Sequence, residues 1–195
     1  KSGIMRRHRP VVIGPVETDP LDVLLGEAGR VHARPVLFGR DFRMLGRAAK
    51  GSLRYEGMTW NISGVTPGPG GNFQADNAAC SLAVLELLGA SGFAVTEEQA
   101  VRGIRQARWP GRFQWVMGVP PVLVDAAHNP AAIRALVDSL DEGEVVWLFS
   151  ALSGKDVRKM AEEMAPAGKN FVLVPLEHPR GLAVRDLALE LPEGL

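Results

Sequence analysis

The residues best placed to do chemistry stand in Val122-Leu-Val-Asp-Ala-Ala-His-Asn-Pro. An apolar run ends in Asp125, small and polar residues turn the chain, and Pro130 suits the first position of a helix. In open α/β sheets, ligands bind beyond the carboxyl ends of strands. Asp125 there could hold a ribose hydroxyl, and His128 could take or give a proton near neutral pH. The competing reading is that His128 or Asn129 only caps the helix.

A second candidate is Trp109-Pro-Gly-Arg112, where a stiff Pro-Gly pair presents a guanidinium fork suited to a phosphate or a base edge. A surface arginine in a linker is the plainer alternative. In Gln74-Ala-Asp-Asn77, amide side chains open a helix directly after a Gly-rich loop and could read an adenine edge. Capping by Asp76 or Asn72 would also explain that pattern. Lys155 is read as a first-turn helix residue, able to meet a phosphate or to stay solvated. The loop Thr66-Pro-Gly-Pro-Gly-Gly lacks the Gly-x-x-x-x-Gly-Lys-Ser/Thr order, and no such phosphate loop occurs elsewhere in the sequence.

The elements that must position these residues follow from periodicity and breakers. Residues 9–14 read as a buried strand, Thr18-Asp-Pro20 opens a helix with Leu21, Leu24, Leu25 and Ala28 on one face, and residues 35–39 form a second strand. Leu53, Tyr55, Met58, Trp60 and Ile62 alternate around Glu56-Gly57, which predicts a hairpin. Helices are expected from Phe73 to Leu88 and from Thr96, with a capping-box-like Thr96-Glu-Glu-Gln, to about Ala107. From Val122 onward, strands at 122–125, 145–149 and 171–174 alternate with helices at 130–140, 155–165 and 184–191, predicting a mainly parallel sheet. The break at residues 109–112 divides the chain into domains at 1–109 and 110–195.

Composition bounds the reading. The 195 residues are 46% hydrophobic and 23% charged, typical of globular domains. Lys plus Arg number 22 and Asp plus Glu number 22, so no overall field favours nucleic acid or membrane, and neither is expected as a partner. The charge is uneven, however, with 11 basic against 5 acidic residues up to Arg54, a front half that suits anionic ligands. Four tryptophans at 60, 109, 115 and 147 are too dispersed to make a stacking platform for nucleic acid. The single cysteine, Cys80, lies in an apolar helical run and reads as a buried structural thiol. With neither a membrane-length apolar stretch nor a signal-peptide pattern, a cytoplasmic location is expected. Both ends read as cut from a longer protein.

Order and spacing together resemble the Mur-type ATP-dependent amide ligases, in the branch of folylpolyglutamate synthase and dihydrofolate synthase. The resemblance rests on Lys1-Ser-Gly-Ile with the strand after it, Phe38-Gly-Arg-Asp-Phe, Gln74-x-x-Asn77-Ala-Ala, Trp109-Pro-Gly-Arg112 and Asp125-Ala-Ala-His128-Asn129-Pro130. It departs from the family pattern at Phe73, Gln114 and Ala126, where histidine, glutamate and glycine are usual.

The resemblance implies an α/β chain made of the end of a central ATPase-type domain, with a β-hairpin and helices, followed by a Rossmann-like C-terminal domain. It implies that Asn77, Arg112 and Asp125 contact ATP, with Asp125 and His128 at the interdomain cleft, and that Lys1, once carbamylated, is a ligand for Mg2+; His128, at the same strand end as Asp125, is expected as the catalytic residue beside the amino acid or the reacting carboxylate. The reaction implied is addition of glutamate to a folate, or to dihydropteroate, through an acyl phosphate, by a monomer when full length. A cell-wall Mur ligase and a non-catalytic nucleotide-binding module are the rival readings. Lacking the phosphate loop, the 195-residue chain alone is expected to be inactive.

Overall fold

The structure is a computed structural model, and it describes residues 2–46, 53–141 and 143–194. The chain forms two compact units, Lys1–Trp109 and Pro110–Leu195.

In the first unit, strand β1 (Pro10–Ile13), helix α1 (Thr18–Arg30) and strand β2 (Arg34–Leu37) make the expected β-α-β, with β1 and β2 parallel and Pro10 opposite Arg34. Ala28 is fully buried on the inner face of α1. The helix starts two residues earlier than Pro20 suggests, because Glu17 supplies the extended N-cap residue, though without a side-chain cap bond. An antiparallel meander follows: β3 (Arg43–Leu45), β4 (Leu53–Glu56) and β5 (Asn61–Val65). The alternation around Glu56-Gly57 accounts for β4 and β5, whereas β3 is an addition that the sequence reading lacks.

Helix α2 (Gln74–Gly89) packs on β1 and β3, and α3 (Glu97–Gln106) packs on β5. The core between them contains Phe42, Leu53, Tyr55, Val65 and Leu82. Thr96 and Gln99 form the reciprocal capping box, with the Gln99 amide donating to Thr96 Oγ1 at 3.2 Å and the Thr96 amide to Gln99 Oε1 at 2.9 Å.

One buried acid organises the β4–β5 turn. Glu86, in α2, accepts five hydrogen bonds: from the Tyr55 hydroxyl, from the amides of Met58, Thr59 and Trp60, and from the Thr59 hydroxyl. Burial alone would raise its pKa. The surrounding donors outweigh burial and hold the carboxyl below its ordinary value. The same charge, with desolvation as the larger cause, pushes the Tyr55 hydroxyl up.

The second unit has strands β6 (Gln114–Val116), β7 (Val122–Val124), β8 (Val146–Phe149) and β9 (Asn170–Leu173), with helices α4 (Pro130–Val137), α5 (Val157–Met164) and α6 (Val184–Glu190). β8 and β9 pair in parallel, as repeated βα units require, while β6 and β7 form an antiparallel hairpin that the sequence reading does not anticipate. The core gathers Ile133, Phe149, Val157, Met160, Met164 and Leu187. On the outer face of β8, Val146 and Leu148 are 62% and 71% exposed, and Val172 of β9 is 49% exposed.

Candidate active site

The end of β7 is built around Asp125. Its Oδ2 accepts the amide of Phe113 at 2.7 Å and its Oδ1 the amide of Ala127 at 2.8 Å. The first bond ties the Trp109-Pro-Gly-Arg112 turn to the strand end, so two motifs 12 residues apart become one local structure. Gly111, at φ 71°, and Phe113, at φ 44°, both lie in the left-handed region. Glycine enters that region freely, but an aromatic residue rarely does. Gly111 is further fixed by Gln114, whose Oε1 accepts its amide at 2.8 Å.

Around this frame Arg112 is exposed and, among the described residues, has no ion pair. Each carboxylate oxygen of Asp125 carries one backbone bond, and an ionised carboxylate offers about four acceptor sites in all. Acceptor capacity therefore remains at the strand end, beside a turn that presents a guanidinium. The capping question is decided by Asn129, whose Oδ1 accepts the Ala132 amide at 2.9 Å with Pro130 at the start of α4. His128 is not the cap. Its ring is exposed, with Nδ1 lying 3.1 Å from the carbonyl of Ala126.

Asn77 belongs to the first unit. It is exposed in the first turn of α2, where its Nδ2 donates to the Oε1 of buried Gln74 at 3.0 Å. The N-cap residue, Phe73, is helical in backbone and makes no side-chain cap bond, and the first amides turn back on the preceding loop, Gln74 donating to the Gly71 carbonyl at 3.1 Å and Ala75 to the Asn72 carbonyl at 3.2 Å. Burial raises the pKa of Asp76. Cys80, half-buried, is pushed up to about 11 by burial and then by Asp76, which suits the inert structural thiol expected of it.

One feature was not read from the sequence: a cleft of about 430 Å³ at the carboxyl ends of β1 and β2, lined by Ile13, Gly14, Leu21, Phe38 and Arg40 among others. A Cβ at Gly14 would lie 2.9 Å from the Cys80 sulfur, so any larger residue there would have to displace that side chain. The parallel order of two predicted strands was the available signal for it.

Lys155 is a correction: it precedes the helix, because Asp156 is the N-cap residue of α5 and its Oδ1 accepts the Lys159 amide at 3.1 Å. Lys1, the residue implied as a metal ligand, lies outside the described residues. Among the described residues there is no group of three or more His, Cys, Asp or Glu side chains that could hold a metal ion. No helix among them is long and apolar enough to cross a membrane.

An Asp-fixed turn at the end of a strand in an α/β unit agrees with a direct family match. Residues 111–194 match the family described as Mur ligase, glutamate ligase domain. Beyond that segment, nearly the whole chain is similar to folate ligases. It is 33% identical over 208 residues to the dihydrofolate synthase/folylpolyglutamate synthase of Mycobacterium tuberculosis, a match covering 99% of this chain and 43% of that protein. The crystal structure of Mycobacterium tuberculosis folylpolyglutamate synthase complexed with ADP and AMPPCP superposes with a TM-score of 0.88 at 30% identity, covering 97% of this chain and 45% of that one. A bifunctional folylpolyglutamate synthase/dihydrofolate synthase with Mn, AMPPNP and L-glutamate bound gives a TM-score of 0.82 at 27% identity, covering 98% and 45%. The chain spans less than half the length of the curated relatives it matches.

Proposed function

We propose that this chain is part of an ATP-dependent ligase that adds glutamate to a folate or to dihydropteroate. The observation that carries the reading is the Asp125–Phe113 hydrogen bond, which places an exposed guanidinium turn against a strand-end carboxylate with acceptor capacity to spare. The likeness to folylpolyglutamate synthases, one of them with a nucleotide analogue and L-glutamate bound, supports the same reading.

A carboxylate is a poor electrophile. In the proposed reaction its oxygen takes the γ-phosphoryl group of ATP, releasing ADP and forming an acyl phosphate. The amine of glutamate then attacks the acyl carbon, the C–N bond forms, and phosphate leaves as the amine gives up a proton. Charge on the transferring phosphoryl group must be neutralised throughout.

Within this scheme Asp125 accepts the ribose hydroxyls, Arg112 meets the nucleotide, and Asn77, held by buried Gln74, contributes an amide suited to a base edge. His128, exposed on the turn just before the helix that Asn129 caps, orients the glutamate or the reacting carboxylate. No residue of this sequence is assigned to the phosphate loop, which has no Gly-Lys-Ser/Thr match here, so the chain alone should not ligate. The test is phosphate release by the full-length protein with ATP, glutamate and dihydropteroate or a folate. Release that depends on all three components supports the reading. Nucleotide hydrolysis indifferent to the folate and to glutamate overturns it.

A further inference from the structure

The basic surplus before Arg54 has no task in the proposed reaction, and the fold collects much of it in one place. Arg6, Arg7, His8 and Arg9 lead into β1, and His32 and Arg34 lead into β2. Because β1 and β2 are parallel neighbours, the two leaders run side by side. The amide of His8 donates to the His32 carbonyl at 3.0 Å, and the amide of Arg34 donates to the Arg9 carbonyl at 3.0 Å. The two imidazoles stack with centroids 5.9 Å apart and planes 18° from parallel.

His8 and His32 both hold left-handed backbone, at φ 57° and 54°. At His32 it closes the C-terminus of α1, the His32 amide donating to the Gly29 carbonyl at 3.1 Å and the Ala33 amide to the Ala28 carbonyl at 2.8 Å, so the end of the helix fixes where the second leader begins.

All six side chains are exposed. Among the described residues, Arg6 donates to the carbonyls of Gly3 and Met5, and Arg7 Nε to His8 Nε2 at 3.2 Å. Among the described residues, none of Arg6, Arg7, Arg9 and Arg34 forms an ion pair. On the adjoining helix, Glu27 is already taken by Arg30. The strip is therefore a row of guanidinium forks outside any ion pair among the described residues, with Asp41 as the carboxylate that feels the charge of Arg34, in a chain of zero net charge, so its field is local.

We propose that this strip binds a flexible polycarboxylate, in the first place the growing γ-glutamyl chain; this assignment rests on the ligase reading above. Planar guanidinium forks pair with carboxylates two bonds at a time. Strands start about 5 Å apart in a ladder, so guanidiniums on neighbouring leaders can engage successive carboxylates of one chain. Neither leader contains Trp, Tyr or Phe, which leaves no ring of those types to stack a nucleobase and disfavours nucleic acid.

The experiment titrates fluorescent di- and penta-γ-glutamate into the full-length protein and reads anisotropy at low and at physiological salt. Affinity should rise with chain length and fall with salt. Combined Arg7→Ser, Arg9→Ser and Arg34→Ser should weaken pentamer binding roughly tenfold or more, since rim charges are worth most in sum. Melting temperature checks that the triple variant stays folded. Equal binding by wild type and variant overturns the proposal, as does tighter binding of duplex DNA or of phosphatidylserine vesicles at equal charge. Addition of the first glutamate is measured on the same preparations. Normal ligation with arginine-independent pentamer binding removes the strip alone. Arginine- and length-dependent binding without ligation removes the ligase reading and keeps a polycarboxylate site.

Discussion

Asp125 holds Phe113 in left-handed backbone. The 2.7 Å bond from the Phe113 amide to Asp125 Oδ2 spans 12 residues, and its other oxygen is fixed by Ala127 two residues on. An unfavourable conformation at residue 113 is thus maintained by the side chain assigned to the nucleotide. Loop geometry and ligand chemistry share one carboxylate, and substitutions there should separate from those at Arg112.

Arg112→Ala in the full-length protein should raise the KM for ATP with little change in melting temperature, because the side chain is exposed and unpaired among the described residues. Losing a charged contact desolvated in the complex costs about 2 to 5 kcal/mol. Asp125→Ala should show the same kinetic loss and also lower stability by about 1 to 3 kcal/mol, since two backbone amides lose their acceptor. Unchanged ATP kinetics in both variants would refute the nucleotide assignment.

His128 and Asn129 should part in the opposite sense. Asn129→Ala removes the α4 cap and should cost about 1 kcal/mol in a denaturant titration, with ligation otherwise retained. His128→Ala should leave the denaturation midpoint where it is and lower turnover or raise the KM for glutamate. A stability loss without a kinetic one at His128 would return that residue to a structural role.

Glu86 predicts an acid-sensitive first unit. Its folded pKa lies below that of the unfolded chain, so its contribution is complete above the unfolded value of about 4.3 and is lost as pH falls through the folded one. Melting temperature measured downward from pH 7 should therefore drop steeply at the acid end. Glu86→Gln should be destabilised by about 2 to 4 kcal/mol at neutral pH, since an amide nitrogen would face donors, and its acid limb should flatten. A mutant whose pH profile parallels the wild type would exclude Glu86 as the titrating group.

Local signals carried much of this structure. The Thr96–Gln99 box and the Asn129-Pro130 start act over three or four residues, and their geometry is set by neighbours in sequence. Glu86 could not be found that way. It sits inside the apolar run Val84-Leu-Glu-Leu-Leu, and its donors arrive from Tyr55 to Trp60, 26 to 31 residues earlier. β3 and β6 each have only three residues, and all three of β6 are exposed, so neither gives an alternation long enough to read. At the site, the residue types of Asp125 and Arg112 were legible, whereas the bond joining their turns required the left-handed Phe113, which no residue preference announces.

The outward Val146, Leu148 and Val172 of the β8–β9 ladder give the second unit a sticky side, with consequences for the molecule in bulk. With zero net charge there is no long-range repulsion to keep such sides apart. Solutions of this 195-residue chain should show a negative second virial coefficient that deepens with added ammonium sulfate and relaxes when Leu148 is replaced by lysine. Crystallisation and storage would then depend more on that strip of aliphatic carbon than on the melting temperature of either unit.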